Sequence, residues 1–219
     1  TLTDSSAASD VYKRQARVYA LPCVTGHVGA DTAAVILAEA PDQADQVTLI
    51  VDVGTNAELV LGDRQRLLAA SSPTGPAFEG AQISGGQRAA PGAIERVRID
   101  RTSGLARFKV IGCPLWSDTP GFAAATAGTG VTGICGSGIV EAIAEMYLAG
   151  LLTADGIIDG RHAGRVTGIV AEGRTFSFRL NETVTITQND LRAIQLAKAA
   201  LYAGARLLMD ALAVTRVER

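Results

Sequence analysis

Cysteine and histidine are scarce in this sequence, three and two residues respectively, and Cys23, Cys113 and Cys135 stand far apart with no C-x-x-C pair. Three cysteines are too few for a disulfide framework, and with no C-x-x-C pair and two histidines they argue against a zinc site as well. An excess of positive charge is missing too. Twenty Lys and Arg stand against 22 Asp and Glu, a formal net charge of −2, and they are scattered rather than striped. No basic field remains to draw nucleic acid or acidic lipid. Long hydrophobic runs are also absent: Ala33–Ala38 and Ala199–Ala203 fall far short of the roughly 20 residues that span a bilayer. No G-x-x-x-x-G-K-[ST] string occurs, so nothing supports a P-loop. What the chain does have is 47% hydrophobic residues over 219 positions, enough for a globular core in one large domain or two small ones.

The termini need separate treatment. Asp10-Val11-Tyr12-Lys13-Arg14-Gln15 resembles the translation of a sequencing-library adaptor, so residues 1–15 are expected to be a non-native tail, with natural sequence from about Ala16. Leu212–Arg219 leaves a helical pattern without Gly, Pro or another stop, which reads as a chain cut at both ends.

Gly29–Ala38 has the length and small side chains of a helix packed closely on another, ended by Pro41-Asp42. Val47–Val51, Asn56–Leu61 and Arg66–Ala70 predict a three-stranded antiparallel meander whose first turn is Gly54-Thr55-Asn56. Ser71–Gly92 is rich in Gly, Pro and Ser and reads as a functional loop. Arg96–Asp100 and Ala106–Ile111 predict a hairpin around Thr102-Ser103-Gly104. A helix follows Gly128–Gly138, with 139, 140, 143, 146 and 147 as its apolar face, Glu141 and Glu145 on the other, and Gly150 as its stop. Short strands are expected within Val166–Thr187. Last comes a long one-sided helix from a Thr187/Asp190 capping box through Leu191, Ile194, Ala197, Leu201, Ala205, Leu208 and Leu212.

Three motifs carry chemistry, each beside a plainer reading. In Val51-Asp52-Val53-Gly54-Thr55-Asn56-Ala57-Glu58 a strand delivers a carboxylate to a turn with a bare glycine, a hydroxyl and an amide. That set can cradle a phosphate, with Asp52 holding Mg²⁺ through water or orienting an attacking water; equally it can be a hairpin whose Asp and Asn satisfy turn backbone. Gly133-Ile134-Cys135-Gly136-Ser137-Gly138 opens a helix, which suits either an anion at free N–H groups or a tight helix–sheet approach. The overlapping G-x-G-x-x-G at Gly128–Gly133 lacks a preceding strand and an acidic partner, so a dinucleotide site is not supported. In the third motif, Pro76–Gly80, Phe78 and Glu79 are candidates for facing a ligand or partner, while Arg88 reads as a solvated charge. Cys135 reads as a small residue where backbone crowds, and His27 and His162 as structural or surface residues.

Six blocks in order carry a resemblance: Leu21-Pro22-Cys23, Val28-Gly29-Ala30-Asp31, Val51–Glu58, Gly75–Ala81, Arg88–Ile94 and Gly133–Gly138. Together they resemble the reductive activators of corrinoid proteins, whose C-terminal region is similar to the actin, sugar kinase and heat-shock chaperone superfamily. The resemblance implies an α/β fold: residues 16–46 as the interlobe helix region ending a first lobe, and 47–219 as a second ribonuclease-H-like lobe truncated before the adenosine segment. It implies Gly54, Thr55, Asn56 and Glu58 as phosphate-binding residues, Asp52 as a Mg²⁺ or water-positioning residue, and Gly133, Gly136, Ser137 and Gly138 as helix-end or interlobe contacts. ATP and Mg²⁺ are the implied cofactors, with no direct metal ligand set, and an iron–sulfur cluster only in a ferredoxin-like region outside this chain. The implied function is ATP-driven return of Co(II) corrinoid to Co(I), by a parent enzyme of which this fragment alone should be inactive. A corrinoid protein is the implied partner, with cytoplasmic location, a possible homodimer, and neither membrane nor nucleic acid binding. Gly85 stands where the resemblance leads one to expect Cys in many members of the family, which weakens any redox role there. A sugar or acid kinase of the same superfamily, or a nucleotide-switched module that binds a corrinoid protein without catalysis, are the alternative readings.

Overall fold

The computed structural model describes residues 19–164 and 168–219. The tail expected at 1–15 and the start expected at Ala16 lie outside the described residues, as do 165–167, where the region of short strands was expected to begin.

Helix α1, Ala30–Glu39, stops where Ala40 turns left-handed (φ 46°) and Pro41 opens a 3₁₀ turn. Only Thr32 of this helix is buried, and Leu37 is exposed. The close helix–helix contact expected from its small residues is not found among the described residues, because alanines supply little apolar area to hold one.

The expected meander forms. Strands β1 (Thr48–Val53), β2 (Ala57–Gly62) and β3 (Leu67–Ser72) run antiparallel in the order β1-β2-β3. Leu59 pairs with Ala70 and Leu61 with Leu68, so alternation puts these side chains on one face. A second sheet joins β4 (Ala93–Ile99) to β5 (Ala106–Val110) as the predicted hairpin, with a bulge between Ile94 and Arg96. After the short helix α2 (Phe122–Ala125), β6 (Gly133–Ile134) adds to the other side of β4 in parallel. Helix α3 (Gly136–Leu148) then packs on β4, burying Ile139, Ala142 and Met146 against Ile94, Val97 and Ile134. Strands β7 (Ile169–Glu172), β8 (Thr175–Arg179) and β9 (Thr185–Ile186) form a third sheet whose Phe178 and Ile186 enter the same core.

Two expectations about α3 need correction. Val140 and Tyr147, assigned to its apolar face, are exposed. Glu141 and Glu145 turn toward β4 instead: Glu141 Oε2 accepts the Val97 N–H (2.6 Å) and Glu145 Oε2 the Ile99 N–H (3.0 Å). The reason is that, among the described residues, β6 meets β4 at Ala93 and Ile94 alone, leaving the rest of that edge of β4 in need of acceptors.

Helix α4, Gln188–Leu212, starts at the predicted capping box, with Thr187 Oγ1 accepting the Asp190 N–H and Asp190 Oδ2 accepting the Thr187 N–H. Leu191, Ile194 and Ala197 of its first half join the large core, while Leu201, Leu208 and Leu212 of its second half cover the Leu59/Leu61 face of the meander. One helix thereby ties the two cores together. The missing stop signal is also corrected: Ala213 adopts φ 56°, its N–H bonds the last carbonyls, and Val47 and Leu49 then hydrogen-bond the backbone of Glu218 and Arg219.

Candidate functional site

The turn between β1 and β2 is tight. The Gly54 N–H donates to the Asn56 carbonyl at 3.0 Å, which leaves the exposed Thr55 and Asn56 N–H groups without an acceptor among the described residues. Two side chains from the following loop hold this tip. Thr74 Oγ1 reaches the carbonyls of Gly54 (3.1 Å) and Thr55 (3.2 Å), while the Thr55 hydroxyl donates to Glu79 Oε1 at 2.7 Å. Below the tip, Asp52 and Glu58 are directly opposite each other in the register and so share a face; Ser71 Oγ donates to Glu58 at 3.1 Å.

Glu79 sits where it does because its turn is constrained from several sides. Gly75 (φ 69°) and Gly80 (φ 80°) bracket the 3₁₀ turn Pro76–Glu79, both in the left-handed region that a side chain resists. Helix α3 begins against the same turn: a Cβ on Gly136 would overlap the Phe78 carbonyl oxygen. On the far side of the loop, the Ser84 N–H donates to the buried Asp190 of α4 (2.8 Å), so the loop is tied to that capping box as well.

The Gly133–Gly138 motif divides. Gly133 lies against the Gly85 carbonyl and Gly138 against the Ile94 carbonyl, where a Cβ would collide with backbone. Both are packing glycines. Cys135 is buried with its Sγ 3.2 Å from the Ile94 carbonyl, the small-residue reading rather than a reactive thiol. Ser137 is exposed, and among the described residues no side chain caps the first turn of α3. One groove of about 710 Å³ brings together Val53 of the hairpin, Phe78 of the turn, Gly136 and Ser137 of the helix start, and Leu201 of α4.

The structure therefore brings Gly54, Thr55, Phe78, Glu79, Gly136 and Ser137 into one region. Thr74 is a contributor that sequence reasoning missed; a threonine in a Ser-Pro-Thr-Gly run carries no spacing signal that would single it out. At Gly128–Gly133 the strand comes at the end of the glycine pattern, not before it, which is the wrong order for a dinucleotide fingerprint. His27 is exposed. His162 lies half-buried, its Nε2 3.9 Å from Asp159, whose carboxyl is held at about 2, chiefly by the Arg161 side-chain hydrogen bond. Arg88 is exposed. Among the described residues no group of three or more His, Cys, Asp or Glu could hold a metal ion, and no helix is long and apolar enough to cross a membrane.

Residues 46–219 match the family described as the C-terminal domain of RACo, the ASKHA domain. The chain is 36% identical over 203 residues to a corrinoid activation enzyme, RamQ, of Eubacterium limosum, covering 87% of this chain and 31% of that protein. It is 31% identical over 153 residues to the [Co(II) methylated amine-specific corrinoid protein] reductase of Methanosarcina barkeri, covering 68% of this chain and 28% of that one. A solved structure, a reductive activator for corrinoid, iron–sulfur protein, superimposes with a TM-score of 0.73 at 31% identity over 89% of this chain and 30% of its own. The chain thus spans about a third of the length of the curated relatives it matches.

Proposed function

From a chain that belongs to the family of RACo C-terminal, ASKHA domains, we propose the nucleotide-binding second lobe of a longer reductive activator that returns Co(II) corrinoid proteins to Co(I). In this reading residues 47–219 form that lobe and 16–46 lead into it from the first. The observation that carries the reading is the convergence of the Gly54-Thr55-Asn56 tip, the Glu79 turn and the start of α3.

The chain's own residues fit a phosphate. Gly54 has no side chain to obstruct it, the N–H groups of the exposed Thr55 and Asn56 have no acceptor among the described residues, and the Thr55 hydroxyl is a third donor. Asp52, half-buried and on the face shared with Glu58, would hold a Mg²⁺-bound water or orient an attacking one. Thr74 fixes the two carbonyls and so keeps the tip from rearranging as donors are used. Hydrolysis of bound ATP would supply the free energy that moves one electron from an iron–sulfur centre to cobalt. The cysteines of this chain do not fit such a centre: Cys113 and Cys135 are buried and Cys23 is exposed in the N-terminal segment. The electron source is assigned to another part of the longer protein. A corrinoid protein as partner, cytoplasmic location and pairing of two copies belong to the same proposal.

The test is reduction of a Co(II) corrinoid protein, followed by its visible absorption, with the longer protein carrying this domain. Thr55→Ala is expected to lower the ATP-stimulated rate about tenfold or more, the size of a lost hydrogen bond to a charged group. A rate equal to wild type would overturn the phosphate assignment of this hairpin.

A further inference from the structure

A phosphate site normally meets its anion with donors and positive charge, yet the hydroxyl at this tip is already bonded to a carboxylate. Glu79 Oε1 lies 2.7 Å from Thr55 Oγ1, and a Cβ built on Gly54 would be 3.8 Å from the same oxygen. Asp52 and Glu58 add two more carboxylates on one face of the strands leading into the turn. Among the described residues no Lys, Arg or His forms an ion pair with Asp52, Glu58 or Glu79. A bare phosphate chain would therefore approach through a field of its own sign. Nor can Glu79 simply be dismissed as a floppy surface side chain. Its backbone is fixed by Gly75 and Gly80 in left-handed conformations and by the abutment of Gly136 on Phe78, which aims the carboxylate at the tip.

We propose that Glu79 is a specificity-determining residue of the hairpin: its charge makes the tip reject metal-free phosphate chains and accept them only with a divalent cation between the two anions. The inference rests on the nucleotide reading above and assigns a role to this residue within it. Glu79 bonds Thr55 in the absence of phosphate. When a phosphate takes the Thr55 hydroxyl, the displaced carboxylate faces the cation and its water shell rather than the phosphate oxygens. Neutralising Glu79 removes the repulsion of the bare anion without removing any donor from the tip.

The experiment is titration of the whole chain with ATP in magnesium chloride and, separately, in EDTA, read from the backbone amide resonances of Thr55 and Asn56. Affinities in the millimolar range suffice. In wild type, ATP with Mg²⁺ is expected to shift these amides at much lower concentration than metal-free ATP. In Glu79→Gln the ratio of the two affinities is expected to shrink about fivefold, the upper size for one charge at an exposed site. Glu79→Asp keeps the charge while breaking the 2.7 Å bond, and is expected to keep the wild-type ratio. An unchanged ratio in Glu79→Gln, with its amide spectrum otherwise that of the folded wild type, would overturn the role of Glu79 alone. If Mg²⁺ and ATP leave the wild-type Thr55 and Asn56 amides unmoved, the nucleotide reading fails and this inference falls with it.

Discussion

At the residue scale, glycine carries the site more than any charged group does, and for two different reasons. Gly75 and Gly80 are needed for their positive φ, whereas Gly136 and Gly138 are needed for the space a side chain would fill. The distinction predicts the outcome of Gly136→Ala. Alanine is the better helix former, worth about 1 kcal/mol in a helix interior, but its Cβ meets a backbone oxygen that cannot rotate away. The net expectation is destabilisation of about 1–3 kcal/mol in a denaturant titration, with displacement of the Thr55 amide resonance as the Glu79 turn is pushed outward. Stability equal to wild type with an unmoved Thr55 amide would show that α3 does not brace the hairpin. The glycine pattern was visible in the sequence, but which glycine faced which backbone was not, since partners such as Phe78 and Gly136 lie 58 positions apart in the chain.

At the element scale, α3 serves β4 as its second edge partner. Glu141 and Glu145 supply the acceptors that a neighbouring strand would have supplied, and Arg96 and Arg98 draw Glu141 into place. Burial alone pushes the Glu141 carboxyl up, but hydrogen bonds from Arg98, the Val97 N–H and Arg96, with the charge of Arg98, outweigh it and hold the group below its ordinary range. A lowered folded value means the contribution is complete above the unfolded value of about 4.3 and is lost as pH falls through the folded one. Hydrogen exchange at the Val97 amide should therefore speed up in Glu141→Gln at neutral pH, and in wild type only below about pH 4. Equal protection of Val97 in both proteins at pH 7 would count against the edge role. Periodicity assigned these two glutamates to solvent because a helical wheel records spacing alone; it holds no information on a strand edge that lacks a partner.

At the scale of the whole molecule, α4 joins the meander to the large core, and Gly204 packs so close to the sheet that a Cβ there would overlap Ser72 and Leu59. Gly204→Val is expected to cost about 2–3 kcal/mol despite removing a helix-interior glycine, measured as a shift in the denaturant midpoint, because both neighbours are buried and the helix is held at each end. An unshifted midpoint would mean that the two cores are not coupled through this contact. The amino-acid sequence by itself determined what local chemistry governs: the three meander strands and their Gly54-Thr55-Asn56 turn, the β4–β5 hairpin, and α4 from its Thr187/Asp190 box, since alternation, turn residues and capping act over a few positions. Only the tertiary structure decided that Thr74 and Glu79 clamp that turn, that Gly136 braces the clamp, and that Glu141 and Glu145 face inward. Each of those depends on which backbone groups long-range packing leaves unpaired or too close for a side chain, a quantity that no short stretch of chain contains.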